Sequence, residues 1–187
     1  AEQATELGRM QNIVKDAFEF GASAAGAEDA AGLHRVLGEL LDKLRALPPG
    51  GIAMVPGGWR GQQSVGWVVH LVERSADGDS FALTTANAGQ GIEYHLAKPG
   101  HDKTKYRTCL RLEGVAPSRL LDPGFWAVAL SQWARGEGSE FARVEVLYDV
   151  LLPWLADGPL LPTASGVTTK VVQHQQGEWR SAARSGA

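Results

Sequence analysis

Val55-Pro56-Gly57-Gly58-Trp59 opens the stretch that decides the fold, and three runs that alternate like β-strands follow it: Val65–Glu73, Phe81–Asn87 and Lys105–Glu113. Side chains alternate between the two faces of a strand, so this period of two predicts an antiparallel meander. In the first run Val65, Trp67, Val69 and Leu71 take one face while Gly66, Val68, His70 and Val72 take the other. Both sets are largely apolar, which predicts a central strand covered on both sides. Asp77-Gly78 marks the hairpin tip, Ala88-Gly89-Gln90-Gly91 breaks the second strand, and Ile92–His95 reads as a resumed extended run.

Ahead of the meander the period changes to that of helices. Residues 2–20 place Leu7, Met10, Ile13, Val14, Ala17 and Phe18 at helical spacing, which predicts one stripe facing a core, a stop at Gly21 and a flexible connector over 21–27. The second helix carries Leu33, Val36, Leu37, Leu40, Leu41, Leu44 and Leu47, with Glu28 and Asp29 at its positive end and Pro48-Pro49-Gly50-Gly51 ending it. Two such neighbours predict an antiparallel helical hairpin.

Behind the meander, Asp122-Pro123 is an N-cap followed by proline at the first helical position, and Trp126, Ala129, Leu130 and Trp133 give that helix an apolar face. A further helix carries Val144, Leu147, Tyr148 and Leu151, and Pro153 should kink or end it. The expected fold class is α+β: a small antiparallel β-meander packed with an N-terminal helical hairpin and two C-terminal helices. Residues 1–156 form one such domain (hairpin 1–50, meander 51–115, helices 117–156), and 157–187, rich in Pro, Gly, Ser, Thr and Gln, form an extended tail or linker.

Composition narrows the function classes. A chain of 187 residues can bury roughly two thirds of its unfolded surface without staples. Its net charge of −3 gives no electrostatic case for nucleic acid. The local basic run over 98–111, with Lys98, Lys103, Lys105, Arg107 and Arg111 against Asp102, reads as a solvated loop and strand edge. Cys109 is the only cysteine, so no internal disulfide or Cys-rich zinc site can form, which suits a reducing, intracellular and cytoplasmic setting. No run approaches the ~18 apolar residues of a membrane span. The start at Ala1-Glu2-Gln3, without Met, reads as a processed chain or a segment of a longer one.

Few groups could carry chemistry. His70 and Asn87 lie on successive strands, and a turn at Asp77-Gly78 puts them diagonally across from each other, the arrangement by which a second side chain orients a general base. Cys109 is the one thiol that could act as nucleophile, but it follows the histidine strand, whereas a helix N-terminus ahead of that strand is where a thiolate is stabilised. Ser64 and Ser75 lack a Gly-x-Ser-x-Gly context, and His70, His95, His101 and Asp102 match no metal-ligand spacing. No metal or cofactor is expected. The glycine-rich loop with Trp59, Arg60, Gln62 and Gln63, together with Trp67, reads as a surface for a protein partner, with Trp59 as the exposed anchor.

Four pieces of wording resemble a known group of proteins: Val55-Pro56-Gly57-Gly58-Trp59, Val69-His70-Leu71-Val72-Glu73-Arg74, the run from Asn87 to His95, and the run from Glu145 to Pro153. Across roughly residues 50–160 the chain is similar to a segment of very large eukaryotic proteins known as ubiquitinyl-hydrolase-like. The resemblance implies a papain-like or related α/β module within a multidomain protein connected with ubiquitin. His70 matches that pattern. Val65-Gly66-Trp67-Val68 stands where the family carries a Gly-Gly-His-Ala type of approach. The expected function is a non-catalytic interaction or scaffolding domain of a larger assembly, with a cysteine-type ubiquitinyl hydrolase (His70 base, Asn87 orienter, Cys109 nucleophile) as the alternative.

Overall fold

The structure, a computed structural model, describes residues 2–27, 29–62, 65–98, 105–134, 142–160 and 179–181. Helix α1 (Glu2–Ala25) and helix α2 (Ala30–Arg45) precede strands β1 (Ile52–Arg60), β2 (Val65–Arg74) and β3 (Phe81–Ala86). After a 3₁₀ turn at Ile92–Tyr94 come β4 (Ala97–Lys98), β5 (Lys105–Arg107) and β6 (Cys109–Val115), then α3 (Pro117–Leu120) and α4 (Pro123–Ala134). A π-helical turn, Val146–Leu151, leads into α5 (Leu152–Ala156), and β7 (Trp179–Ser181) comes last. The chain is α+β, as the sequence predicts.

One antiparallel sheet in the order β1-β2-β3-β6 forms the framework, and β4, β5 and β7 make a second, small one. Its register places Val55, His70, Thr85 and Leu110 in one row across the strands, with Ala53, Val72, Leu83 and Leu112 in the next row on the same face. These residues are buried, and the apolar ones join Val36, Leu37, Leu40, Leu41 and Leu44 of α2, Trp126 and Leu130 of α4, and Leu152 and Leu155 of α5 in one core.

The opposite face is less covered than the apolar alternation predicts. It carries Met54, Pro56, Val65, Trp67, Val69 and Leu71, and of these Val65 and Trp67 are 54% and 58% exposed. Its far end is polar: Arg111 bonds Glu73 and Glu113 at 2.9 Å each and donates to Thr84 Oγ1 at 3.2 Å. Arg111 is therefore neutralised, which removes it from the basic run around 98–111.

The helical hairpin forms as expected, tied by Lys43 Nζ to Asp16 at 2.8 Å and by Arg9 Nη2 to the Gly50 carbonyl at 3.1 Å. Asp29 caps α2 by accepting from the Gly32 amide at 2.7 Å, and Asp122 does the same for α4 from the Phe125 amide at 3.1 Å. Two expectations for α1 need correction. The helix continues through Gly21 to Ala25, and the residues it turns inward are Ala17 and Ala24, with Ile13 and Phe20 half-buried. Leu7, Met10, Val14 and Phe18 face outward. Gly21 keeps its place because the helix packs closely there: a Cβ would lie 3.3 Å from Pro56 Cγ and 3.7 Å from the Trp133 ring.

Pro56-Gly57-Gly58-Trp59 lies inside β1. Two further expectations are corrected. Ile92–Tyr94 is a 3₁₀ turn rather than a strand. Pro153 does not end its helix either, because the π-helical turn before it bonds the Leu152 amide to the Leu147 carbonyl, five residues back. That wider register accommodates the ring of Pro153, which has no N–H for an i→i−4 bond. Within the expected tail, Trp179–Ser181 pairs with β5, while 161–178 and 182–187 lie outside the described residues.

Candidate functional site

The register pairs His70 with Thr85, two residues before Asn87, which lies just past the end of β3, and the two side chains bond different partners. His70 is paired with Thr85 across β2 and β3, and its Nδ1 lies 3.0 Å from Thr85 Oγ1. Its Nε2 points at β1, where a Cβ on Gly57 would sit 2.9 Å away, and the Trp126 ring meets the imidazole edge-on at 6.3 Å. Only 4% of His70 is exposed, and burial lowers its pKa from 6.5 to about 4, so the ring is neutral at physiological pH.

Asn87 belongs to a different network. Its Nδ2 donates to the Gln90 carbonyl at 2.7 Å and to the Tyr148 hydroxyl at 3.0 Å, while its Oδ1 accepts from the Gly89 amide at 2.8 Å. His95 Nδ1 lies 2.9 Å from the Arg107 carbonyl, which can only accept, so the proton sits on Nδ1. Nε2 then carries the lone pair and accepts from the Tyr148 hydroxyl at 2.9 Å. Burial lowers the His95 pKa to about 4 against the opposing effect of the Arg107 carbonyl, and burial raises the Tyr148 phenol above its ordinary value. The polar side-chain atoms of Asn87, Tyr148 and His95 are thereby all partnered. It pins the 87–95 segment to the helix that starts at Val146, and Tyr94 stacks on Tyr148 at 4.7 Å.

Cys109 is aligned with Ala86, one residue out of step with the row of His70, Thr85 and Leu110. Alternation therefore puts its sulfur on the open face of the sheet and the imidazole in the core. The three residues of the expected relay occupy three separate environments. Among the described residues, no group of three or more His, Cys, Asp or Glu side chains could hold a metal ion; His101 and Asp102 lie outside them.

The partner-binding expectation divides as well. Trp59 is fully buried: its ring lies over Gly66, its register partner on β2, where a Cβ would be only 2.1 Å from the ring. Its Nε1 donates to Gln90 Oε1 at 3.4 Å, and its ring meets Tyr148 edge-on at 6.4 Å. The bare backbone of Gly66 makes room for this indole. Arg60 ends β1 half-buried, Gln62 is exposed, and Gln63 lies outside the described residues. Trp67 does face solvent, with its ring edge-on to Trp133 at 6.0 Å.

What the sequence reading missed is on α1. Leu7, Met10, Val14 and Phe18 are 61%, 57%, 54% and 77% exposed, and their spacing puts them on one side of the helix. Gly21 packs on Pro56 and Trp133, and the buried Trp133 meets Trp67, so the C-terminal half of α1 lies beside the open half of the sheet. A hollow of about 250 Å³ lined by Trp67, Val69, Ala86, Ala88 and Thr108 lies on that sheet face. Among the described residues, no helix is long and apolar enough to cross a membrane. No family model, no curated protein and no solved structure matches this chain.

Proposed function

We propose that this chain is a non-catalytic interaction domain, part of a larger intracellular assembly, that docks a protein partner through α1 and the adjoining open half of the sheet. The observation that carries this reading is the row of four large apolar side chains on α1, each more than half exposed, when the same helix has a separate inward face. Continuous apolar surface of this extent marks interaction sites on soluble domains. The interior polar groups support the same reading from the other side. His70 is occupied by Thr85, Asn87, His95 and Tyr148 are occupied by one another and by the backbone, and Cys109 lies on the face of the sheet opposite the His70 imidazole.

A photo-crosslinking amino acid placed at Phe18, compared with one at the exposed Glu39 of α2, tests the proposal in extract of the source cells. Adducts of defined mass at position 18 that disappear in a Met10→Glu background, and none at position 39, are the expected result. Equal labelling at both positions, or none at 18, would refute it.

A further inference from the structure

Which partner the α1 surface takes follows from the pattern of the stripe itself, and rests on the interaction reading above. We infer that it takes a second copy of this chain, by an antiparallel two-fold crossing of α1 on α1 centred at Val14. The intervals along Leu7, Met10, Val14, Phe18 and Gly21 are three, four, four and three residues, the same in both directions. Two antiparallel helices with Val14 at the axis therefore set Met10 of one copy against Phe18 of the other, and Leu7 against Gly21, which carries no side chain and is packed on its own Pro56 and Trp133.

Charge supports the same occupant. No ionisable side chain stands in the row from Leu7 to Gly21, and three of the charges beside it are engaged within their own chain: Arg9 with the Gly50 carbonyl, Asp16 with Lys43 and Lys15 with Glu19. A two-fold contact brings each group against its own kind, so a charge inside the stripe would repel its copy; a neutral stripe is what self-association requires.

The available area points the same way. Leu7, Met10, Val14, Phe18, Val65 and Trp67 are all more than half exposed. At roughly 100 Å² apiece they offer roughly 600 Å² per copy, so two copies clear the ~1,000 Å² that a specific interface needs. The α1 side chains alone fall short of it, which is why the contact must extend to Trp67.

Sedimentation velocity of the purified 187-residue chain tests the inference, with Val14→Glu as the disrupting variant and Glu39→Lys as the control. The expected result is a concentration-dependent dimer that Val14→Glu weakens by about tenfold or more, because two like charges then meet at the axis, and that Glu39→Lys leaves unchanged. In a Cys109→Ser background, Val14→Cys should crosslink to its copy under mild oxidation much faster than Leu7→Cys. Circular dichroism matching that of the parent chain verifies that each variant is folded. A chain that stays monomeric at about 100 µM, or equal crosslinking at 7 and 14, overturns the inference. A monomer whose Phe18 crosslinker still captures a different protein would sink the second copy and leave the interaction reading standing; a monomer with no capture would sink both.

Discussion

The Tyr148 hydroxyl donates to His95 Nε2 at 2.9 Å while accepting from Asn87 Nδ2 at 3.0 Å, so one phenol joins two strand-loop residues to the C-terminal helix. Tyr148→Phe keeps the ring packing against Trp59 and Tyr94 and removes that junction, leaving an amide N–H and an imidazole nitrogen buried without partners. Urea denaturation should show a loss of about 2 kcal/mol or more. A loss near zero would mean that water reaches this network.

Stability should depend on acid through two histidines. His70 and His95 both have their pKa lowered from 6.5 to about 4 by burial, so between these values the unfolded chain binds more protons than the folded one. Their contribution is complete above about pH 7 and is lost as the pH falls from 6.5 to 4, by about 3 kcal/mol for each histidine. Urea midpoints measured across that window should fall with acid, and His70→Gln should roughly halve the slope. A flat profile from pH 7 to 4.5 would contradict the burial of both rings.

No thiol chemistry should be coupled to His70. A ubiquitin carrying a C-terminal electrophile is expected to leave Cys109 unmodified, because the sulfur and the imidazole lie on opposite faces of the sheet. Mass spectrometry showing an adduct at Cys109 that vanishes in His70→Ala would reinstate the hydrolase alternative.

Two glycines should respond to alanine in opposite directions. At Gly66 a Cβ would fall 2.1 Å from the Trp59 ring, so Gly66→Ala should cost about 1–3 kcal/mol or prevent folding. At Gly38, in the middle of α2, nothing lies within 4 Å of the added carbon, and Gly38→Ala should stabilise the chain by about 0.5–1 kcal/mol. Thermal melts of the two variants side by side would separate them; similar midpoints would disprove the packing of Trp59 on Gly66.

Much of the framework was legible because strand alternation and helix period are local. The edges of β2 and β3, the leucine face of α2 and the Asp122 cap all follow from spacing within a few residues. What escaped depended on residues distant in sequence. Trp59 reads as an exposed anchor among glycines until Gly66 is seen beneath it, and Tyr148 reads as one more apolar position until His95, 53 residues earlier, meets its hydroxyl. On α1 the difficulty is different. Ile13, Ala17, Phe20 and Ala24 and the outward row from Leu7 to Phe18 are both apolar at helical spacing, so periodicity cannot say which one the core takes.

Phe18→Ser, measured by urea denaturation at protein concentrations low enough to suppress association, tests the outward role of the α1 stripe most directly. The expected free energy lies within about 0.5 kcal/mol of the parent chain, as for a surface substitution, while Leu44→Ala in the core loses about 2–5 kcal/mol. If Phe18→Ser were as damaging as Leu44→Ala, the stripe would be part of the core, and no docking face would remain.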